Sequence, residues 1–433
     1  MTQPPTRRQK FMTQGMGRAF RHRDFVIYMS SGFFANIGIW VQRVGVQWLA
    51  WDLTHSYAWL GAVSFIDAVG IILFMPIFGT LIDRSDRLKM MRHAHMWVTA
   101  LSVFLSVFTL MHWMTIWWIV FAMAVHGVID AFWSPARLAM TPSLVPRSDL
   151  AAAIGANASM FNLAKILGTT AAGLIIAAFD DHVYGIGILF VITIVGSLIY
   201  MVGLYMLTMQ YEERTVTAST GFVADMKEGL FYIFQKPGLG MYMGLMLATT
   251  LIMRSFRELL AGYADGVFQA GPEGLAMLTS AVGVGALVGA LVVANTTKVK
   301  GLTRMILWIF GAGIAIQYAF FLAPTFHFAV GAVTALGLTV AVGGIGSQVL
   351  VQSAIHSTMR GRVVSLWSII MRAGPTIGAW VIGGFAEWVG LQTAFLVATT
   401  LYLIYFCFMA TRFRTLATHM ETPPEDSPQR ANA

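Results

Sequence analysis

The stretch GTLIDRSDRLKMM, residues 79–91, places Asp83, Arg84, Asp86, Arg87 and Lys89 between two long apolar runs, 58–82 and 90–112. The chain around it has 433 residues, of which 57% are hydrophobic and only 11% charged. Its mean hydropathy is +0.70. Soluble domains carry about 25% charged residues. A chain this poor in charge cannot cover a water-facing surface, so it belongs in a membrane. A spanning helix needs about 20 apolar residues, and both flanking runs supply them. The charged stretch then reads as the wet hairpin between two spans.

Working outward gives twelve such runs: 25–51, 58–82, 90–112, 115–137, 150–179, 184–209, 238–263, 273–296, 302–323, 326–356, 362–389 and 392–412. The basic residues test this count. Arg84, Arg87, Lys89, Arg92, Arg137, Arg147, Arg214, Lys227, Lys236, Lys298, Lys300, Arg304, Arg360 and Arg362 lie at the connections after even-numbered runs. The connections after odd-numbered runs hold no Lys or Arg. Cytoplasmic loops retain basic residues. The reading is therefore an all-α membrane protein with twelve transmembrane helices in two six-helix halves and both termini cytoplasmic. The same alternation explains the net charge of +8 without nucleic acid, because no single domain gathers it.

The domain reading follows. Residues 1–24 form a basic cytoplasmic tail without the apolar core of a cleaved signal. Residues 25–209 form the first half, 210–237 a cytoplasmic linker, 238–412 the second half, and 413–433 a polar, Pro-containing tail expected to be disordered. In the linker, Phe222, Met226, Leu230 and Phe234 recur every four residues, with Asp225, Lys227, Glu228 and Gln235 off that stripe. This is an amphipathic helix, lying either on the inner membrane surface or on the protein's own loops. Gly285 and Gly289, four apart in GVGALVGA (283–290), let a neighbouring helix approach closely.

Ionisable side chains inside spans are costly and call for a partner or a function. Here they are Arg43, Asp67, Asp130, Lys165, Arg254, Arg257, Glu258, Arg372 and Glu387. Arg43 and Asp67 lie at matching depth, roughly 13 Å below the outer surface at 1.5 Å per residue. They either pair, or Arg43 faces a cavity and Asp67 another helix. Arg254 and Glu258 have i, i+4 spacing and are expected to pair locally. Asp130 follows His126 at the same spacing, suiting a proton relay or a packing hydrogen bond. Lys165 and Arg372 have no acid at helical spacing; each implies a wet cavity, an acid from another helix or an anionic substrate group. His93 and His95 read as interfacial residues.

No Gly-x-Ser-x-Gly, His-Glu-x-x-His or P-loop pattern is present, and no carboxylate-rich metal site. The single cysteine, Cys407, excludes a disulfide within the chain. The expectation is a non-enzyme with no cofactor and no metal.

Gly79-Thr80-Leu81-Ile82-Asp83-Arg84-Ser85-Asp86-Arg87-Leu88-Lys89 resembles the Gly-x-Leu-x-Asp-Arg-x-x-Arg-(Lys/Arg) motif of the major facilitator superfamily, which sits between helices 2 and 3. Further stretches are similar to the bacterial exporter branch that contains the enterobactin exporter and macrolide and multidrug efflux pumps. These are Asn36-Ile37-Gly38 with Gln42-Arg43-Val44, Ser134-Pro135-Ala136, Leu144-Val145-Pro146-Arg147, Phe161-Asn162-Leu163-Ala164-Lys165, and Arg360-Gly361-Arg362-Val363. Gly168 is followed by Thr169 where the antiporter pattern has proline.

The resemblance implies a secondary transporter in the bacterial inner membrane, working by alternating access around a midplane site. Proton-coupled efflux of an amphipathic drug, siderophore or metabolite is the expected activity. An importer and a non-transporting scaffold or sensor are the alternatives. The expected partners are a small-molecule substrate, protons and lipid, with a monomeric protein. Asp67, Asp130 and Glu258 are the candidates for proton coupling. Asn36, Arg43, Gln47, Asn162, Lys165, Arg254, Gln348 and Arg372 are candidates for the substrate cavity, with Gln317 and Gln352 as further neutral donors. The resemblance also implies an inner latch of Gly79, Asp83, Arg84, Arg87, Arg360 and Arg362. In it Asp83 meets the N-terminal end of helix 11, while Arg84 and Arg87 pair with acids across the halves.

Overall fold

The computed structural model describes residues 15–82, 86–208, 222–294, 301–356 and 359–421. Among these residues there is helix and no strand, as expected where lipid offers backbone groups no hydrogen-bond partners. Six helices come from the first half of the chain: α1 (Arg23–Thr54), α2 (Tyr57–Ile82), α3 (Arg87–Leu110), α4 (Ile116–Leu144), α5 (Leu150–Ala177) and α6 (His182–Tyr205). The linker contributes α7 (Phe222–Gln235). The second half gives α8 (Pro237–Met253), α9 (Leu260–Gly266), α10 (Gly271–Ala294), α11 (Leu302–Phe321), α12 (Phe326–Ser353), α13 (Arg360–Val389), α14 (Leu391–Thr411) and α15 (Phe413–Glu421). α8 and α9 belong to one span, so among the described residues the candidate spans number 12, the count read from the sequence.

Side chains fix several helix starts. Asp86 precedes α3 and accepts from the Leu88 and Lys89 amides at 2.9 and 3.1 Å. Asp181 caps α6 through the Val183 amide at 2.9 Å. Each satisfies amides that have no partner inside the helix. Part of the charge in the 79–91 stretch is therefore structural punctuation.

The chain forms two compact units. The first comprises residues 1–49 and 69–218, the second 50–68 and 219–433. This division departs from the expected halves at one place: the adjoining ends of α1 and α2 pack with the second unit. The reason is visible in the contacts. The Trp51 indole donates to Asp265 at 2.8 Å. Glu387 accepts from the Ser56 hydroxyl at 2.7 Å and the Ala58 amide at 3.0 Å. The Phe65 and Trp380 rings stack at 4.8 Å.

In the first unit, α3 packs along α6. His95 is 2% exposed, its Nδ1 lies 3.1 Å from Ser197 Oγ, and its ring meets Tyr200 edge-on at 4.5 Å. The interfacial reading of His95 is thus corrected. It shares one α3 face with the buried Met91, Val98 and Ser102, at helical spacing. In the second unit, α10 lies against α12 through its glycines. A Cβ on Gly285 would collide with the Thr334 carbonyl, and one on Gly289 would sit 2.7 Å from the Leu338 carbonyl. The close approach read from GVGALVGA is present.

Two tail expectations change. Residues 15–21 form a 3₁₀ turn, and Asp149 at the start of α5 accepts from His22 at 3.0 Å and meets Arg18 at 3.8 Å. The far end is also not all disordered: α15 packs onto the second unit with Leu416 at 0% and Met420 at 1% exposure. The polar composition of 422–433 masked this short amphipathic segment; those twelve residues lie outside the described ones. The linker helix α7 rests on α13, where Arg362 Nη1 pairs with Glu228 at 2.9 Å and Gly229 abuts Leu366. Its Ile233 is buried, whereas Leu230, Phe231 and Phe234 are exposed.

Candidate functional site

The span 238–266 is interrupted at mid-depth. α8 stops at Met253 and a 3₁₀ turn occupies Ser255–Leu259 before α9 begins. A short 3₁₀ segment within a longer helix often marks a hinge or a functional site. This turn carries Arg257 and Glu258 and is preceded by Arg254. Glu258 is 8% exposed and accepts from the Ser64 hydroxyl at 2.9 Å. The local Arg254–Glu258 pair expected from i, i+4 spacing does not form. The tighter turn rotates the two side chains off one face, and Arg254 Nη1 reaches Met371 Sδ at 3.2 Å instead.

Arg254 lines a recess within the second unit, walled by Met246, Met253, Phe310, Val340 and Met371, with Thr249, Thr250 and Gly344. The Thr249 hydroxyl is shared with the Tyr402 hydroxyl at 2.7 Å. Of the other candidates in this unit, Gln348 and Arg372 are exposed. Gln317 is fully buried and donates to the Ile252 carbonyl at 3.3 Å, which makes it part of the packing around the helix break.

The first unit holds its own recess, lined by Tyr28, Asn36, His95, Trp133, Arg137, Asn157 and Tyr200. Asn36 donates to the Gly32 carbonyl at 2.7 Å, while its Oδ1 is buried with no partner. Arg137 stacks over Trp133 at 4.9 Å and Phe161 at 5.3 Å. Sequence reasoning placed Arg137 in a loop. The structure continues α4 to Leu144 and puts Arg137 inside the helix. Nearby, Trp40 gathers two sequence-predicted cations, with Lys165 Nζ 4.6 Å and the Arg43 guanidinium 5.8 Å from its ring centre. Cations over indole faces gain electrostatic stabilisation. Asn162 is exposed and bonds back to the Ala158 carbonyl at 2.9 Å. Gln47 is buried, and Asp130 and His126 lie half-buried on α4. Asp67 is half-buried in the second unit.

Of the latch residues, Asp83 and Arg84 lie outside the described ones, and the side chain of Arg360 does as well. Gly79 is in the last turns of α2. Arg87 Nη1 donates to Ser143 Oγ, at the end of α4, at 3.1 Å, and Arg362 holds Glu228 of the linker helix. Among the described residues, no cluster of three metal-ligating side chains occurs.

Twelve helices long and apolar enough to span a membrane, among the described residues, are the architecture of major facilitator transporters, and solved structures of that fold match over nearly the whole chain. A bacterial homologue of the human lysosomal transporter Spinster, captured inward-facing and unoccupied, aligns at a TM-score of 0.70 and 14% identity, covering 93% of this chain and 98% of that one. With the family match that follows, the protein is a multi-pass membrane transporter of this superfamily. Within it, the chain belongs to the transmembrane secretion effector family, whose model matches residues 18–430. Macrolide efflux protein A of Streptococcus pyogenes is 25% identical over 358 residues, 81% of this chain and 86% of that protein. The staphyloferrin A transporter of Staphylococcus aureus is 27% identical over 156 residues, 35% and 38% of the two chains. These relatives agree with the exporter-branch resemblance.

Proposed function

We propose that the protein exports an amphipathic small molecule by alternating access, driven by inward proton flow. The observation that carries the coupling is Glu258. It is a carboxyl 8% exposed, seated in a spanning segment where the helix gives way to a 3₁₀ turn. Such a group inside a membrane is a functional site by default, and its Ser64 hydroxyl partner can hold either protonation state. Glu258 is therefore the first proton carrier, ahead of Asp67 and Asp130. The direction rests on the family description and on relatives named for efflux.

In this reading the basic loops keep both termini on the cytoplasmic side of a bacterial inner membrane. The 79–91 hairpin is a conformational latch in the same reading. The test is flux in proteoliposomes under an imposed pH gradient, screened against macrolides and carboxylate siderophores. Substrate-dependent proton movement is expected in the wild type and its loss in Glu258→Gln.

A further inference from the structure

Arg254 is a cation at the middle of the span 238–266, a position where charge is expensive without compensation. Among the described residues its guanidinium meets no carboxylate: Nη1 has only the Met371 thioether at 3.2 Å, and the buried Nε has no acceptor. Thioether sulfur is a weak acceptor. The nearest acid in sequence, Glu258, is turned away to Ser64. The recess that Arg254 lines also holds Met246, Met253 and Phe310, and a Cβ added to Gly344 would stand 3.8 Å from Nη1. A planar donor fork in an apolar, sulfur-rich recess matches a carboxylate attached to an apolar body. It disfavours a cation by charge and a bare hydrated anion by its walls. Methionine side chains adapt to varied shapes, which suits a site taking more than one such molecule.

We infer that Arg254 is the anion-binding end of a substrate subsite in the second unit, taking amphipathic organic carboxylates. The inference rests on the transport reading for its physiological meaning, but not for its test. The full-length protein in neutral maltoside detergent is titrated calorimetrically with 2-naphthylacetate and with its uncharged isostere, 2-naphthylacetamide. The acid binds ~10-fold or more tightly than the amide, the scale of one charge-assisted contact. Arg254→Gln erases that preference, Arg254→Lys keeps part of it, and Gly344→Leu weakens both probes by filling the space beside Nη1. Should Arg254→Gln fail to fold, the lysine and leucine variants still decide.

Equal binding of acid and amide, or an acid preference that survives Arg254→Gln, overturns the site. So does displacement of nothing by the acid while dioleoylphosphatidylglycerol alone stabilises the wild type through Arg254, which would make the occupant a lipid headgroup. No gradient is needed for these titrations. A wild type that shows no acid preference while its proton-driven flux is intact removes the Arg254 subsite alone, and absent flux in a wild type that keeps the preference removes the transport reading alone.

Discussion

The Ser64 hydroxyl donates to Glu258 Oε2 at 2.9 Å across 194 residues of sequence. It joins α2 to the broken span between α8 and α9, inside the second unit. If Glu258 carries the coupling proton, Glu258→Gln abolishes pH-driven flux while the protein still inserts and folds. Ser64→Ala slows flux by about tenfold, the scale of one hydrogen bond to a charged group. Initial rates in proteoliposomes check both variants, and unchanged rates in Glu258→Gln would move the proton site to Asp67 or Asp130.

Glu421 closes the N-terminal end of α11 from the chain's far end. Its carboxylate accepts from the Gly301 amide at 2.7 Å and the Thr303 amide at 2.9 Å. An anion at free helix amides near the surface is worth about 0.3–1 kcal/mol, so Glu421→Gln lowers the unfolding temperature by at most a few degrees. Truncation after Arg412 costs more, because Leu416 and Met420 lose their buried sites and each such loss is worth about 2–5 kcal/mol. Thermal unfolding in detergent orders the two.

Gly285 on α10 has no room for a side chain against the Thr334 carbonyl of α12. Gly285→Val destabilises by about 1–3 kcal/mol through overpacking. Gly384→Ala on α13 is the control: nothing lies within 4 Å of its added Cβ, and it is neutral or slightly stabilising. Equal effects from the two would mean the α10–α12 approach does not constrain the fold.

Arg362 and Glu228 pair at 2.9 Å, with side chains 26% and 52% exposed. Solvent screens such a pair, leaving about 0.2–1 kcal/mol. A double-mutant cycle with Arg362→Ala and Glu228→Ala reads that coupling. Substantially greater coupling would show that α7 is clamped to α13 rather than resting on it.

The number and type of the spans were legible because a helix in lipid must be both long and apolar, and because Lys and Arg mark alternate loops. The Gly285/Gly289 approach was legible for the same reason, since small residues at spacing four leave one reading. What periodicity could not reveal was departure from periodicity. The Arg254–Glu258 pair presumes an unbroken helix, and the 3₁₀ turn at Ser255–Leu259 separates the two. Arg137 was assigned to a loop because its charge resembles loop charge, whereas Trp133 and Phe161 shelter it inside α4. Contacts distant in sequence, such as Ser64 with Glu258 and Glu421 with Gly301, leave no local signal. The helix at Phe413–Glu421 was hidden by the polar residues that follow it.

The central claim is proton-coupled export, and the most direct measurement is proton movement in proteoliposomes holding the purified protein. With an imposed pH gradient and a macrolide or carboxylate siderophore present, the account predicts substrate-dependent alkalinisation of the acidic compartment and countermovement of the substrate. Both disappear in Glu258→Gln. Substrate movement that ignores the pH gradient, or proton movement that needs no substrate, would contradict it.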